Sequence, residues 1–443
     1  VNLLERFFKL RENGTTLRRE VLAGMTTFAA MSYIIVVNPL ILKNAGMDQT
    51  GLITVTALAA AILTALMALA TNYPLCMAPG MGLNAFFTFG VCLGMRVPWQ
   101  AALGLVFYSG CLFCMLSVAG IRKLLIDSIP NDLKIAISCG IGLFIAFIGL
   151  KNGGIIVGNP ETLVTLGNLA SPGPMLVLGG IILGAALVFH RVPGAVILPI
   201  LAITLAGVFI PGADGSALTH LPGRFIGTPA SISPLFLAFD LGYLWRHFSF
   251  AFPIVLTFLF VEVFDNMGTL IAVTKRAGLM KPDGTIPRVE RAFVADAGAA
   301  MIGSALGTSS VVSYIESAAG VEEGGRTGLT GLAVAVCFLL ALVFTPLIAA
   351  VPQVATAPAL VLVGLLMMQG LSDLDFHDFL TAAPAFLTML IMPLAFSISE
   401  GIGVGFISYV AIRLLAGKGR EVSLVAYVLA ALFLLHDLTR AVG

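Results

Sequence analysis

Three carboxylates stand in stretches of this chain that otherwise carry almost no charge. Glu262 and Asp265 lie three residues apart in Phe260-Val261-Glu262-Val263-Phe264-Asp265-Asn266-Met267-Gly268-Thr269-Leu270, and Glu316 lies in Ser313-Tyr314-Ile315-Glu316-Ser317. A spacing of three puts both acids of the first pair on one helical face. A carboxylate at the centre of a membrane helix costs about 2.5–3.5 kcal/mol, so each needs a partner or a task. Basic partners are scarce, because Lys134 and Arg413 fall near the ends of apolar blocks. Asp296, in another apolar block, is a weaker case of the same kind. A cavity built from Asp265 and Glu316 with no deep basic residue would repel anions. It suits a neutral heterocycle rich in N–H donors, since ionised carboxylates only accept hydrogen bonds. Asn84 adds a donor and an acceptor, and Phe86, Phe87 or Phe264 could cover a ring, although packing is the commoner task of such a phenylalanine. Glu262 and Glu316 are candidates for carrying or supporting a proton, a recurrent use of acids within the membrane.

The elements that position these residues follow from composition. Of 443 residues, 58% are hydrophobic and 11% charged, where soluble domains carry about 25% charged residues. The apolar residues run in long blocks such as 21–42, 51–70 and 329–351, and blocks of about 20 match the bilayer core. Helices are expected near 21–42, 51–71, 75–94, 101–121, 133–150, 175–189 and 193–210. After a polar, Gly/Pro-rich stretch they resume near 248–273, 292–306, 308–321, 329–351, 356–370, 379–396 and 401–416. A fifteenth block, 423–435, is an extra span or an interfacial helix. The first block is too long for a signal-peptide core and has no small-residue cleavage site, so it reads as a retained span.

Two sets of seven suggest a repeat. Ile129-Pro130 before the fifth helix parallels Val351-Pro352 before the twelfth, and Gly194-Ala195-Val196-Ile197 resembles Gly401-Ile402-Gly403-Val404. Copies with an odd number of spans must lie in opposite orientations. The expected division is a cytoplasmic N-terminus (1–20), a first repeat (21–211), an external linker (212–246), a second repeat (247–416) and a C-terminal segment (417–443). With the N-terminus inside, most of the 24 Lys and Arg residues fall on the cytoplasmic side. They include Arg6, Lys9, Arg11, Arg18 and Arg19, and Lys275, Arg276, Lys281, Arg288 and Arg291, as the positive-inside rule requires.

The third and tenth segments are poor spanning helices. Ala78-Pro79-Gly80-Met81-Gly82-Leu83-Asn84 and Gly307-Thr308-Ser309-Ser310-Val311-Val312-Ser313 break helical winding at membrane depth. Such backbone survives only where it is buried or lines a cavity, so a matched pair of interruptions points to a binding site near the midplane. Close packing of small residues would explain the glycines, but not Asn84 and Glu316.

Other classes fit poorly. The histidines His190, His220, His247, His377 and His436 lie in loops or at helix ends and no HExxH occurs, which argues against an enzyme. Cys111 and Cys114 have CxxC spacing inside one apolar helix without a second ligand pair, so neither metal nor any cofactor is expected. A net charge of +1 suggests no nucleic-acid partner. An ion channel is the remaining alternative, and paired broken segments bearing carboxylates favour alternating access over it.

At these residues the chain resembles the purine permease branch of the nucleobase cation symporter (nucleobase-ascorbate transporter-like) families. The resemblance runs nearly end to end. It is carried by Glu12-Asn13-Gly14-Thr15-Thr16, Val37-Asn38-Pro39, Pro79-Gly80-Met81-Gly82-Leu83-Asn84-Ala85-Phe86, Phe264-Asp265 with Gly268-Thr269-Leu270, Gly307-Thr308-Ser309-Ser310 through Glu316-Ser317, and Gly324-Gly325-Arg326-Thr327-Gly328. It implies an all-α polytopic fold of fourteen spans in two inverted repeats, with short strands in the broken segments. Helices 1–4 and 8–11 would form a core domain, and 5–7 and 12–14 a gate domain. It further implies uptake of adenine, guanine or hypoxanthine across the plasma (cell inner) membrane by proton symport, from a homodimer in the lipid bilayer. Sodium is the alternative coupling ion, and another neutral heterocycle such as xanthine or uracil the alternative substrate. Asp265 and Glu316 are then the base-binding acids, Asn84, Phe86, Phe264 and Thr269 further contacts, and Glu262 a supporting acid.

Overall fold

A computed structural model describes residues 3–119, 130–212, 215–280 and 286–442. Ile129 and Lys281, used above for the repeat and the charge asymmetry, lie outside the described residues, as does the end of the expected 101–121 helix. Among the described residues, the helices of the two repeats follow one another as α1 (Leu17–Ala45), α2 (Gln49–Thr71), α3 (Met81–Gly94), α4 (Trp99–Val118), α5 (Asn131–Asn152), α6 (Pro172–Phe189), α7 (Ile197–Ala206), α8 (Phe248–Arg276), α9 (Val289–Leu306), α10 (Ser317–Glu322), α11 (Gly328–Ala349), α12 (Gln353–Met367), α13 (Phe379–Leu394) and α14 (Ile398–Leu415), nine of them long and apolar enough to cross a membrane alone. A further helix, α15 (Leu424–Val442), follows. It packs on both α14 and α8 and is longer than the expected 423–435 block.

The first two helices begin earlier than hydropathy suggests because caps set their starts. Thr16 accepts the Arg19 N–H at 3.3 Å, so α1 begins at Leu17 and takes in charged Arg18 and Arg19 rather than starting at Val21. Asp48 accepts the Gly51 N–H at 2.6 Å and starts α2 in the same way.

The third and tenth segments are half strand and half helix. Met77–Pro79 (β1) precedes α3 and Val311–Ser313 (β4) precedes α10, and the two strands pair antiparallel, Ala78 opposite Val312. Two more strands lie between α5 and α6, outside every expected helix: β2 (Ile156–Asn159) and β3 (Leu163–Leu166) form a hairpin. Asn159 makes its turn by accepting the N–H groups of Glu161 and Thr162 at 2.8 and 3.1 Å, an Asx turn between two runs rich in β-branched residues.

Helix contacts fall into two groups related by a shift of seven. α4 packs on α9 as α11 packs on α2, and α1 on α11 as α8 on α4. In the other group, α5 packs on α13 as α12 packs on α6, and α6 on α7 as α13 on α14. α2–α9 and α5–α12 are each their own counterpart. Such pairing is what an inverted repeat with a pseudo-two-fold axis produces. Gly142 and Gly364 let α5 and α12 cross closely, since a Cβ on either would run into the other's carbonyl oxygen.

Candidate functional site

β1 and β4 cross where α3 and α10 begin, so the N-terminal ends of two half-helices converge on one cleft of about 60 Å³. Gly80, Met81 and Gly82 line it from the start of α3, Ile315 and Glu316 from the start of α10, and Asp265 and Thr269 from the uninterrupted α8. Tyr33, at the bend in α1, and Val363 and Met367 of α12 close the remaining sides. The N-terminal ends contribute partial positive charge and free N–H groups, which offset two carboxylates that have no basic neighbour in the lining.

Glu316 is oriented by the Tyr33 hydroxyl, which donates to its Oε1 at 2.7 Å. Tyr314 is fixed in turn by donating to the Pro79 carbonyl at 2.5 Å, across from one broken segment to the other. Asp265 is half-buried and lines the same cleft from α8. The result is two acceptor groups set against the apolar sides of Met81, Val363 and Met367. That geometry can hold a flat, uncharged donor of hydrogen bonds.

The structure brings Asp265, Glu316 and Thr269 together and places the other expected residues elsewhere. Phe264 lines an adjoining cavity with Asp265, Gly82 and Ile141. Asn84 is fully buried behind the cleft, where its Oδ1 accepts from the Ser309 hydroxyl. Phe86 is fully buried against Phe258, ring centroids 4.8 Å apart. Glu262 is also fully buried and accepts from Ser310 at 3.1 Å and Ser109 at 3.4 Å. Asp296 accepts both the N–H and the hydroxyl of Ser313, at 3.0 and 2.9 Å.

These buried bonds share a cause. Thr308, Ser309 and Ser310 are consecutive, and they join Asn38 of α1 (donating to Thr308 at 3.1 Å), Asn84 of α3 and Glu262 of α8 respectively. In hydrocarbon an unpaired polar group is costly, and this short run gives a side chain of each of three helices a partner while leaving β4 free to pair with β1. Sequence reasoning missed Tyr33 and Tyr314. The signal for Tyr314 was its place two residues before Glu316; for Tyr33 there was none beyond a polar break, Ser32-Tyr33, inside an apolar block.

Gly82 stands where the two groups of helices meet beside the cleft, and a Cβ there would lie 2.6 Å from Ile141 of α5. Two larger clefts adjoin the site at the end that carries Lys134, Arg191 and Arg276. One, of about 280 Å³, shares Met367 with it, and the other, of about 420 Å³, shares Ile315 and Glu316. A cleft of about 720 Å³ at the opposite end shares no lining residue with the site.

Residues 18–404 match Xan_ur_permease, a permease family. The chain belongs to this family. Close relatives cover the permease almost completely. The adenine permease AdeP of Escherichia coli is 42% identical over 433 residues, 98% of this chain and 95% of the relative. The guanine/hypoxanthine permease PbuG of Bacillus subtilis is 43% identical over 447 residues, 98% and 99%. A putative permease of Methanocaldococcus jannaschii, MJ0326, is 47% identical over 442 residues, 98% of each. Among solved structures, the transmembrane domain of the cyanobacterial bicarbonate transporter BicA superposes with a TM-score of 0.64 at 15% identity, covering 87% of the permease and 97% of that domain. The murine anion transporter Slc26a9 does so with 0.59 at 13% identity, covering 90% and 68%. These two share the fold of core and gate built from two repeats. Family and relatives mark the permease as a multi-pass membrane transporter rather than an enzyme, in agreement with the resemblance read from its motifs.

Proposed function

We propose that the protein imports purine nucleobases, adenine, guanine or hypoxanthine, by proton symport through alternating access. The observation that carries this reading is the cleft that Asp265 and Glu316 both line, with no basic side chain in the lining. Purines present N–H donors on a flat ring, which two ionised acceptors and apolar side walls match, and an anion does not. The names of the relatives point to the same class of substrate.

In this reading α1–α4 with α8–α11 form the core that carries the base, and α5–α7 with α12–α14 the gate against which it moves. The two repeats occupy 21–211 and 247–416, joined by the 212–246 linker. The end bearing Arg191 and Arg276 is cytoplasmic by the positive-inside rule, so the site stands open to the cytoplasm. Asp265 and Glu316 bind the base, Thr269 and Phe264 contact it near the exit, and Asn84 and Phe86 support it from behind. Glu262 supports the proton step from within the core. The protein would sit in the cell inner membrane as a homodimer with its N-terminus inside.

Uptake of radiolabelled adenine, guanine and hypoxanthine into cells lacking their own purine permeases tests this. Saturable uptake that a protonophore abolishes and unlabelled purines compete away is expected. Sodium-dependent uptake that survives the protonophore would refute the coupling, and absence of purine competition would refute the substrate.

A further inference from the structure

We propose that Phe396 is the external gate of the translocation path, closing on Phe89 of α3, with Lys151 holding its ring. This rests on the transport reading above, which makes the end carrying these residues extracellular. The ring of Phe396 lies 5.8 Å from Phe89, 5.2 Å from Phe144 and 5.9 Å from Phe147, each near edge-to-face, a favoured geometry for aromatic pairs. Phe144 and Phe147 belong to α5 and Phe89 to α3, so the cluster spans the boundary between the two groups of helices. The Lys151 ammonium sits 4.8 Å from the Phe396 centroid, over its face.

The cluster lines one of two separate spaces. On its outer side Phe89, Phe396 and Lys151 line the cleft of about 720 Å³. That cleft has no lining residue in common with the cleft of Asp265 and Glu316, although the clefts at the other end do. Opening the path to the outside therefore requires Phe89 and Phe396 to part.

Two backbone features show that these rings are held on purpose. Phe396 has φ +54°, a left-handed conformation uncommon for a bulky residue. It occupies the position after the α13 cap that glycine normally fills, with the Ser397 N–H closing the motif onto the Met392 carbonyl at 3.1 Å. A phenylalanine that keeps this conformation is retained for its ring, and outliers of this kind cluster at switch regions. Phe89 lies in Phe86–Gly94, where α3 winds as a π-helix, itself a feature common at functional sites.

Accessibility of a thiol in the site tests the gate without any substrate. Val363→Cys, with Cys139→Ser, places a thiol in the cleft beside Asp265, and the same chain with Val363 intact supplies the background. In right-side-out vesicles a membrane-impermeant sulfonated maleimide should label it slowly, and in inside-out vesicles rapidly. Adding Phe396→Gly, which relieves the left-handed residue yet removes the ring, should speed labelling from outside about tenfold or more; Phe396→Tyr should leave it slow. Phe89→Ala should reproduce the acceleration from the core side and serves if Phe396→Gly fails to fold. Rapid outside labelling with Phe396 intact, or no acceleration in either Phe396→Gly or Phe89→Ala, overturns the proposal. Failure of purine uptake alone would refute the function and leave this result standing.

Discussion

Tyr33→Phe isolates one hydrogen bond in the site. Tyr33 is 1% exposed, and its hydroxyl reaches Glu316 Oε1 at 2.7 Å. The substitution keeps the ring, so packing at the bend of α1 is preserved and the hydroxyl alone is lost. A hydrogen bond to an ionised group contributes about 1.5–3 kcal/mol. Glu316 is half-buried and borders a cleft leading out of the site, so water can replace part of what the hydroxyl supplied. The lower end of the range therefore applies, and base binding should weaken about tenfold. Calorimetric titration of purified wild type, Tyr33→Phe and Glu316→Gln with the best-transported base measures this directly, with melting temperature as the control for folding. A dissociation constant for Tyr33→Phe within about twofold of wild type, alongside loss of binding in Glu316→Gln, would show that the pair does not set the acid for binding.

Asp265→Asn should abolish or strongly weaken base binding, because the new amide N–H meets a donor in a cleft with little water; Glu262→Gln, buried off the cleft, should leave binding largely intact and shift the pH dependence of uptake. Normal binding by the first and lost binding by the second, read by calorimetry, would reverse the two roles. Asn84→Ala and Ser309→Ala should both lower the melting temperature while changing selectivity among purines little, since the pair ties α3 to the segment before β4; altered base preference in competition uptake would return Asn84 to the site. Gly82→Ala forces a methyl to within 2.6 Å of Ile141 and should slow uptake more than it weakens binding, because it obstructs α3 against α5; equal losses in both measurements would refute an effect on movement.

Much of the fold was legible because hydrocarbon imposes a simple rule: apolar blocks of sufficient length must be helices, and a break at membrane depth must be explained. That rule by itself singles out the third and tenth segments, whose strands and half-helices frame the cleft. Helix starts were less legible, since Thr16 and Asp48 set them through side-chain bonds that hydropathy does not register. Asp265 and Glu316 were readable as charge in apolar surroundings, and Thr269 only through the resemblance of its motif. Asn84 had the same signature and lies behind the cleft, because a buried amide looks alike in sequence whether it meets a ligand or a serine hydroxyl. Tyr33 was hidden for the opposite reason: its partner is 283 residues away, and nothing local distinguishes a tyrosine that orients an acid from one that packs.

The pairing of β1 with β4 makes each half of the chain the missing edge of the other. Met77–Pro79 pairs with Val311–Ser313, and Gly80 donates to the Ser310 carbonyl at 3.0 Å, so a solitary half would expose unpaired peptide groups at the depth where water is scarcest. Neither half is an independent folding unit despite its seven spans. The polypeptide between Ala206 and Phe248 adds to this interlock, since the Leu237 N–H donates to the Ala305 carbonyl at 2.8 Å and the Asp240 N–H to the Gln100 carbonyl at 2.9 Å, and two fragments severed within it and produced together should find each other in the membrane and reconstitute one transporter, while either fragment alone is degraded.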